Sequence, residues 1–227
     1  MNVREYLSVR RAYALVRQTM PSSGRITFEE LAIMCHLSNA DVSLRTSQIA
    51  EYQGVLRPTM THRTSHLSGL GLIERTSGES DRRSVCCALS PEGAERLDWV
   101  LSEMCGAIKS GMPLSRCTPS RMCRIVDAMG AISLSSADLV LLGLRSYGND
   151  DRLAVCELVD RLGLLQPTVS MAVASLSESG KVTRDPGQSL SSRGPRVALA
   201  AAGAVRVGQL DEAIGNLHVR TPRRNRS

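Results

Sequence analysis

The chain has 227 residues, 42% of them apolar, and a formal net charge of +6. That is apolar material for one large core or two small ones, while one Phe, one Trp and four Tyr are too few for a base-stacking platform on single-stranded nucleic acid. The charge is uneven, +1 over residues 1–113 and +5 over 114–227, so local clusters rather than bulk charge must carry any affinity for a polyanion.

No run of 18 apolar residues occurs, and Met1-Asn-Val-Arg-Glu-Tyr6 lacks the apolar core of a secretion signal. A cytoplasmic protein without a membrane partner is expected. The seven cysteines (35, 86, 87, 105, 117, 123, 156) are then reduced thiols, and their odd number fits no closed disulfide framework.

Glu5 to Gln18 places Tyr6, Leu7, Val9, Ala12, Leu15 and Val16 at helical spacing. Thr27 and Glu30 form a capping box for a helix through Leu31, Ile33 and Met34. Ser47 to Tyr52 is a short helix. Pro58 then opens another, because its missing N–H is not needed in a first turn, and Gly71 suits the left-handed residue that ends it. Leu72-Ile-Glu-Arg75 and Val85 to Leu89 are strands joined by a polar, glycine-containing turn. Ser90-Pro-Glu92 starts a long helix carrying Leu97, Trp99, Val100, Leu101, Met104 and Ile108.

Within this order lies the most telling stretch, Arg57-Pro-Thr-Met-Thr-His-Arg63 followed by a hairpin with Asp81-Arg-Arg83 at its tip. The helix offers Arg57, Pro58, Thr59, Thr61, His62 and Arg63, side chains that reach base edges and phosphates. Arginines at a hairpin tip suit the negative potential of a minor groove. A groove-reading helix followed by a basic hairpin is a winged helix-turn-helix, and double-stranded DNA is the expected partner.

The pattern recurs. Arg57-Pro-Thr-Met-Thr61 has its counterpart in Gln166-Pro-Thr-Val-Ser170, Leu67 and Gly71 in Leu176 and Gly180, Arg75 in Arg184, and Leu89 and Gly93 in Leu199 and Gly203. Ile26 to Met34 aligns with Ile132 to Val140, so the offset drifts from 106 to 110. The bridge Gly111 to Pro119, with two prolines, is the expected boundary. The expected organisation is a first winged-helix domain over 1–113, a diverged second over 114–219 and a disordered basic tail over 220–227. The fold class is mainly α with small β-hairpin wings (α+β), two tandem winged helix-turn-helix domains forming a pseudo-dimer. In the second copy Gln166, Thr168 and Ser170 remain polar, but Met171 to Ala174 bring no charge, and Arg193 and Arg196 stand where the wing arginines stood.

The order of elements, with Arg57-Pro-Thr-Met-Thr, Gly71-Leu-Ile-Glu-Arg75, Asp81-Arg-Arg83 and Leu89-Ser-Pro-Glu-Gly93, resembles the MarR family of bacterial transcriptional regulators. The likeness runs from about Asn2 to Lys109. The second copy matches in outline and lacks the wing aspartate. The resemblance implies that Asp81 orients Arg83, and that helices near 2–19, 94–110, 119–130 and 201–217 pack as an internal dimer interface, with the chain itself monomeric. It also implies a repressor released by a small aromatic or amphipathic effector held in a crevice beside that interface.

Other readings compete. Winged helices also serve as protein-interaction modules, and the cysteines could make a redox-responsive regulator. His62 and His66 are four apart, a spacing for a metal on one helix face, yet no third ligand stands at a useful distance in sequence. No nucleophile–base set, phosphate-binding glycine loop or pair of carboxylates in an apolar setting is present. No enzyme activity, cofactor or metal is expected.

Overall fold

The structure, a computed structural model, describes residues 1–40, 42–77, 85–148, 150–185 and 196–219. In chain order it runs α1 (Val3–Thr19), a 3₁₀ turn (Ser22–Gly24), α2 (Phe28–Ala40), β1 (Leu44–Arg45), α3 (Thr46–Tyr52), α4 (Arg57–Gly69), β2 (Ile73–Ser77), β3 (Val85–Leu89) and α5 (Pro91–Ala107). There follow α6 (Pro119–Met129), α7 (Ser136–Tyr147), β4 (Arg152–Ala154), α8 (Val155–Leu162), α9 (Gln166–Glu178), β5 (Val182–Asp185), β6 (Arg196–Leu199) and α10 (Ala201–Gly215). The fold is mainly helical with small antiparallel sheets, a winged-helix architecture. Among the described residues no helix is long and apolar enough to cross a membrane.

The chain divides into two compact units. Lobe I holds residues 20–106, 116–133 and, of the described residues, 217–219; lobe II holds 1–19, 107–115 and 134–216. This division does not follow the order of the sequence. The expected boundary at residue 113 would keep α1 with α2, and α6 with α7. Instead α1 packs on α7, α8 and α10 in lobe II, while α6 packs on α2 in lobe I. The reason is chemical as well as steric. On α1, Arg11 Nε donates to the Asp160 carbonyl at 3.0 Å and Gln18 Nε2 to the Gly163 carbonyl at 2.7 Å. On α6, the side chain of Asp127 accepts from Asn39 of α2 at 2.8 Å.

Within each lobe the order helix, strand, helix, helix, strand, strand, helix is the same, and the sheets have matching orders, β1-β3-β2 and β4-β6-β5. The local devices also match. Thr27 and Glu30 exchange backbone-to-side-chain bonds at 2.7 and 3.2 Å to cap α2. Ser135 and Asp138 do so for α7, at 3.1 Å each. Because α2 starts at Phe28 and α7 at Ser136, the register there is 108, not the 106 expected from sequence.

At the ends of α4 and α9, Gly71 (φ +72°) and Gly180 (φ +66°) occupy the left-handed region. The next residues, Leu72 and Lys181, donate back to Leu67 and Leu176 at 3.0 and 2.9 Å, closing the helix carbonyls as a left-handed cap does. Gly93 and Gly203 show why both long helices carry glycine in their first turn. A Cβ at either would overlap the carbonyl oxygen of the strand approach, Leu72 or Lys181. Fully buried Leu31, Ile33, Met34, Met60 and Leu67 fill lobe I. Truncating any one to alanine costs about 2–5 kcal/mol.

Candidate nucleic-acid interface

In lobe I the helix pair α3–α4 is locked before any ligand arrives. Met60, Thr64 and Leu67 face the core from α4 at spacings of four and three, and each is 0% exposed. Gln53, just after α3, is 4% exposed and donates from Nε2 to the Glu29 carbonyl at 2.8 Å. Its Oε1 accepts from Arg63 at 2.6 Å. Burial of Gln53 would be costly without these bonds, and together they tie α2, the turn and α4.

The opposite face of α4 is open. Arg57, Pro58, Thr59, Thr61 and His62 are all exposed on it. Arg63 is the exception among the expected residues: it is half-buried and its guanidinium is engaged by Gln53, so its position is fixed by the fold. Ser65 is exposed and accepts from Arg75 of β2 at 2.7 Å, which links the helix to the wing strand. Arg45, at the start of α3, adds an exposed cation. The face therefore combines arginines for guanine edges or phosphates with short hydroxyls and an imidazole.

The pair His62 and His66 is separated chemically. His66 Nδ1 donates to Glu30 Oε1 at 2.7 Å, and Glu30 is 3% exposed and also caps α2. No group of three or more metal-ligating side chains is found among the described residues.

In lobe II, α9 presents Gln166, Pro167, Ser170 and Met171 outward, with Thr168 half-buried. Met171 is 73% exposed where α4 has His62, and Ala172 is buried where α4 has Arg63. Arg196 is exposed at the start of β6 and stands opposite Asp185 and Ala154 in the strand register. Asp81, Arg82, Arg83 and Arg193, and the basic tail from 220, lie outside the described residues.

The cysteines are all free thiols. Burial pushes Cys35 well up, and it raises Cys87 against the opposing influence of Thr46 and Arg75. Burial likewise takes Cys105 to about 11. Cys123 is lowered by its hydrogen bond with Cys35, against its own burial.

One cluster escaped the sequence reading. Asp127 of α6, 7% exposed, accepts from His36 Nδ1 at 2.9 Å and Asn39 Nδ2 at 2.8 Å. Tyr52 donates to its backbone carbonyl and stacks on His36 with ring centroids 3.8 Å apart. Burial works to raise the Asp127 pKa, but the hydrogen bonds from His36 and Asn39 outweigh it and hold the carboxyl below its usual value. A lone carboxylate among Met122, Cys123, Ile125, Val126 and Met129 was the available hint. Its partners on α2 and α3 are remote in sequence.

Comparison with known proteins bears on the same segment. Residues 26–85 match the model of the MarR family, and that span contains α2, α3, α4 and β2. Among solved structures, the YusO protein of Bacillus subtilis is 29% identical at a TM-score of 0.36, covering 40% of this chain. The chain spans 62% of that structure's own length. BpsR of Bordetella bronchiseptica, whose DNA binding is regulated by 6-hydroxynicotinic acid, is 20% identical at a TM-score of 0.37, covering 48% of this chain and 79% of its own. No curated protein matches the chain significantly.

Proposed function

We propose that this chain, whose residues 26–85 are a MarR-family domain, is a transcriptional regulator that reads double-stranded DNA in a sequence-specific way and acts as a repressor. The observation that carries the reading is the α4 face. Arg57, Thr59, Thr61 and His62 are exposed on a helix whose inner face and turn are locked by Met60, Leu67, Gln53 and Arg63. A rigid helix with an open, cationic and hydroxylated face is what groove readout requires. Release by a small-molecule effector is the regulation this reading carries. By the same reading the two lobes of one chain serve the two half-sites of one operator, about 34–36 Å apart, and one chain suffices.

Selection of bound sequences from random duplex DNA with the purified chain tests it. Enrichment of a defined site supports it; recovery of no sequence preference counts against it and favours a protein-interaction module. Arg83→Ala separates the two readings further. It should weaken binding to every duplex, and loss of one phosphate contact should lower the log–log salt slope by about 0.9. Unchanged affinity in a folded variant contradicts the wing's role.

A further inference from the structure

Helices α4 and α9 begin in the same unusual way. Each is preceded by a leucine at the N-cap, Leu56 or Leu165, with nearly the same backbone: φ −68° and ψ 148° in one, φ −67° and ψ 143° in the other. Neither leucine makes a side-chain bond to the first turn. Ser, Thr, Asp and Asn stabilise that position by accepting from a first-turn N–H, and leucine cannot. The chain uses such caps elsewhere, Thr118 accepting from the Arg121 N–H for α6 and Ser135 from the Asp138 N–H for α7. The two leucines are also open to water, Leu56 78% exposed and Leu165 55%, so the core gains little from them.

Single exposed apolar residues are ordinary on a protein surface, but these two correspond. Strands β1 and β4, and helices α4 and α9, share a register of 109, which makes Leu165 the counterpart of Leu56. In that register Met171 answers to His62 and Val42 to Asp151. In the register of 110 that pairs Gly93 with Gly203, Trp99 answers to Gln209 and Val205 to Glu95. Among the large apolar side chains exposed in the described residues, only Leu56 and Leu165 therefore pair. Their neighbours on the same faces differ, Arg57 against Gln166 and His62 against Met171. A leucine present in both lobes, where it neither caps the helix nor fills the core, calls for a partner outside the chain.

We infer that Leu56, and Leu165 in the second lobe, each read the 5-methyl group of a thymine in the major groove, one thymine in each half-site. This role presupposes the DNA-reading function proposed above and adds a base-specifying contact to it. The leading end of a recognition helix meets base edges, and Leu56 stands there immediately before Arg57. Only thymine presents a methyl in that groove, and contact with an exposed leucine removes apolar surface of both from water. The two half-sites, read unequally by α4 and α9, then share this one base.

Equilibrium binding of the full chain to the selected duplex, with uracil placed for each thymine in turn, tests the role, because uracil lacks only the methyl. At one thymine in each half-site uracil should weaken binding about fourfold, the worth of one buried methyl. Leu56→Ala should weaken binding to the thymine duplex about tenfold, and in that variant uracil at the matching position should cost less than about twofold. Leu165→Ala should do the same for the other half-site. Leu56→Ser supplies a capping hydroxyl, so it should raise the thermal midpoint while weakening binding as alanine does. A loss of both stability and affinity would mark Leu56 as a support of α4 rather than a reader of bases, and overturn the inference. So would unaltered binding by the folded leucine variants, or equal losses on thymine and uracil duplexes, which mean contact with the sugar instead. If the unaltered chain selects no duplex, the regulator reading fails and this role falls with it; if it selects one and the leucine variants bind as before, only this role fails.

Discussion

Lobes I and II share an element order, a strand order, a left-handed glycine after the fourth helix of the chain and its counterpart α9, and a glycine pressed against a strand carbonyl. They differ where solvent or a ligand would be met. The α4 face carries Arg57 and His62, whereas the α9 face carries Gln166 and Met171; in lobe I the α2–α6 seam is held by the Asp127 carboxylate, whereas α1 brings the cation Arg11 to lobe II. Backbone contacts that no side chain can replace are the same in both lobes. Exposed side chains such as His62 and Met171 have diverged, because little in the fold depends on them.

The largest expected effect tests the seam between α2 and α6 in lobe I. Asp127→Ala removes the acceptor of both His36 and Asn39, which are half-buried in lobe I, so that two hydrogen bonds to a carboxylate, of roughly 1.5–3 kcal/mol each, should be lost in chemical denaturation. A loss below about 1 kcal/mol would show that the cluster is not what holds α6 on α2. The pH dependence has a definite sign. Asp127 in lobe I and Asp138 in lobe II, the latter bound by Arg206 at 2.9 Å, both lie below the usual carboxylate pKa, hydrogen bonds overcoming their burial. Their contribution is therefore complete above the unfolded value of about 4, shrinks as pH falls from there, and is gone below the depressed folded value. Asp127→Asn should flatten that acid limb of the stability curve.

Next in size are Gly93→Ala and Gly203→Ala. Each methyl would meet a backbone carbonyl rather than a movable side chain, so each should destabilise by about 1–3 kcal/mol or more. A tolerated substitution in one lobe only would break the equivalence of the two wings.

Smaller still is the difference between the reading faces. Arg57→Ala should cost about 1–3 kcal/mol of affinity on the selected site, and Gln166→Ala should cost less. Base-by-base substitution of that site should show an imperfect palindrome, one half more constrained than the other. Equal penalties in both halves would contradict this reading of α9. The smallest effect belongs to Met171→Ala, which should change stability by no more than about 0.5 kcal/mol because the side chain is 73% exposed.

Much of each lobe was legible in the sequence because its devices are local. Thr27 with Glu30, Pro58 after Leu56, Gly71 after the amphipathic run and Ser90 before Pro91 each act within one turn of chain, and each stands where its spacing predicted. The Val85–Leu89 strand was legible to the residue. The exposed set on α4 was legible too, apart from Arg63, whose partner Gln53 becomes visible only when the turn brings them together.

Which lobe receives α1 and which receives α6 was not legible. Apolar periodicity states that a helix has a face to bury and is silent on what will cover it. Tertiary structure decided that Asp127 meets His36 and Asn39, 91 and 88 residues earlier, and that Arg11 donates to the Asp160 carbonyl, 149 residues later. The local code determined caps, turns, strands and the helix that begins at Arg57. How α6 is held on α2, and α1 on α8, arises from contacts between residues that the sequence alone cannot bring together.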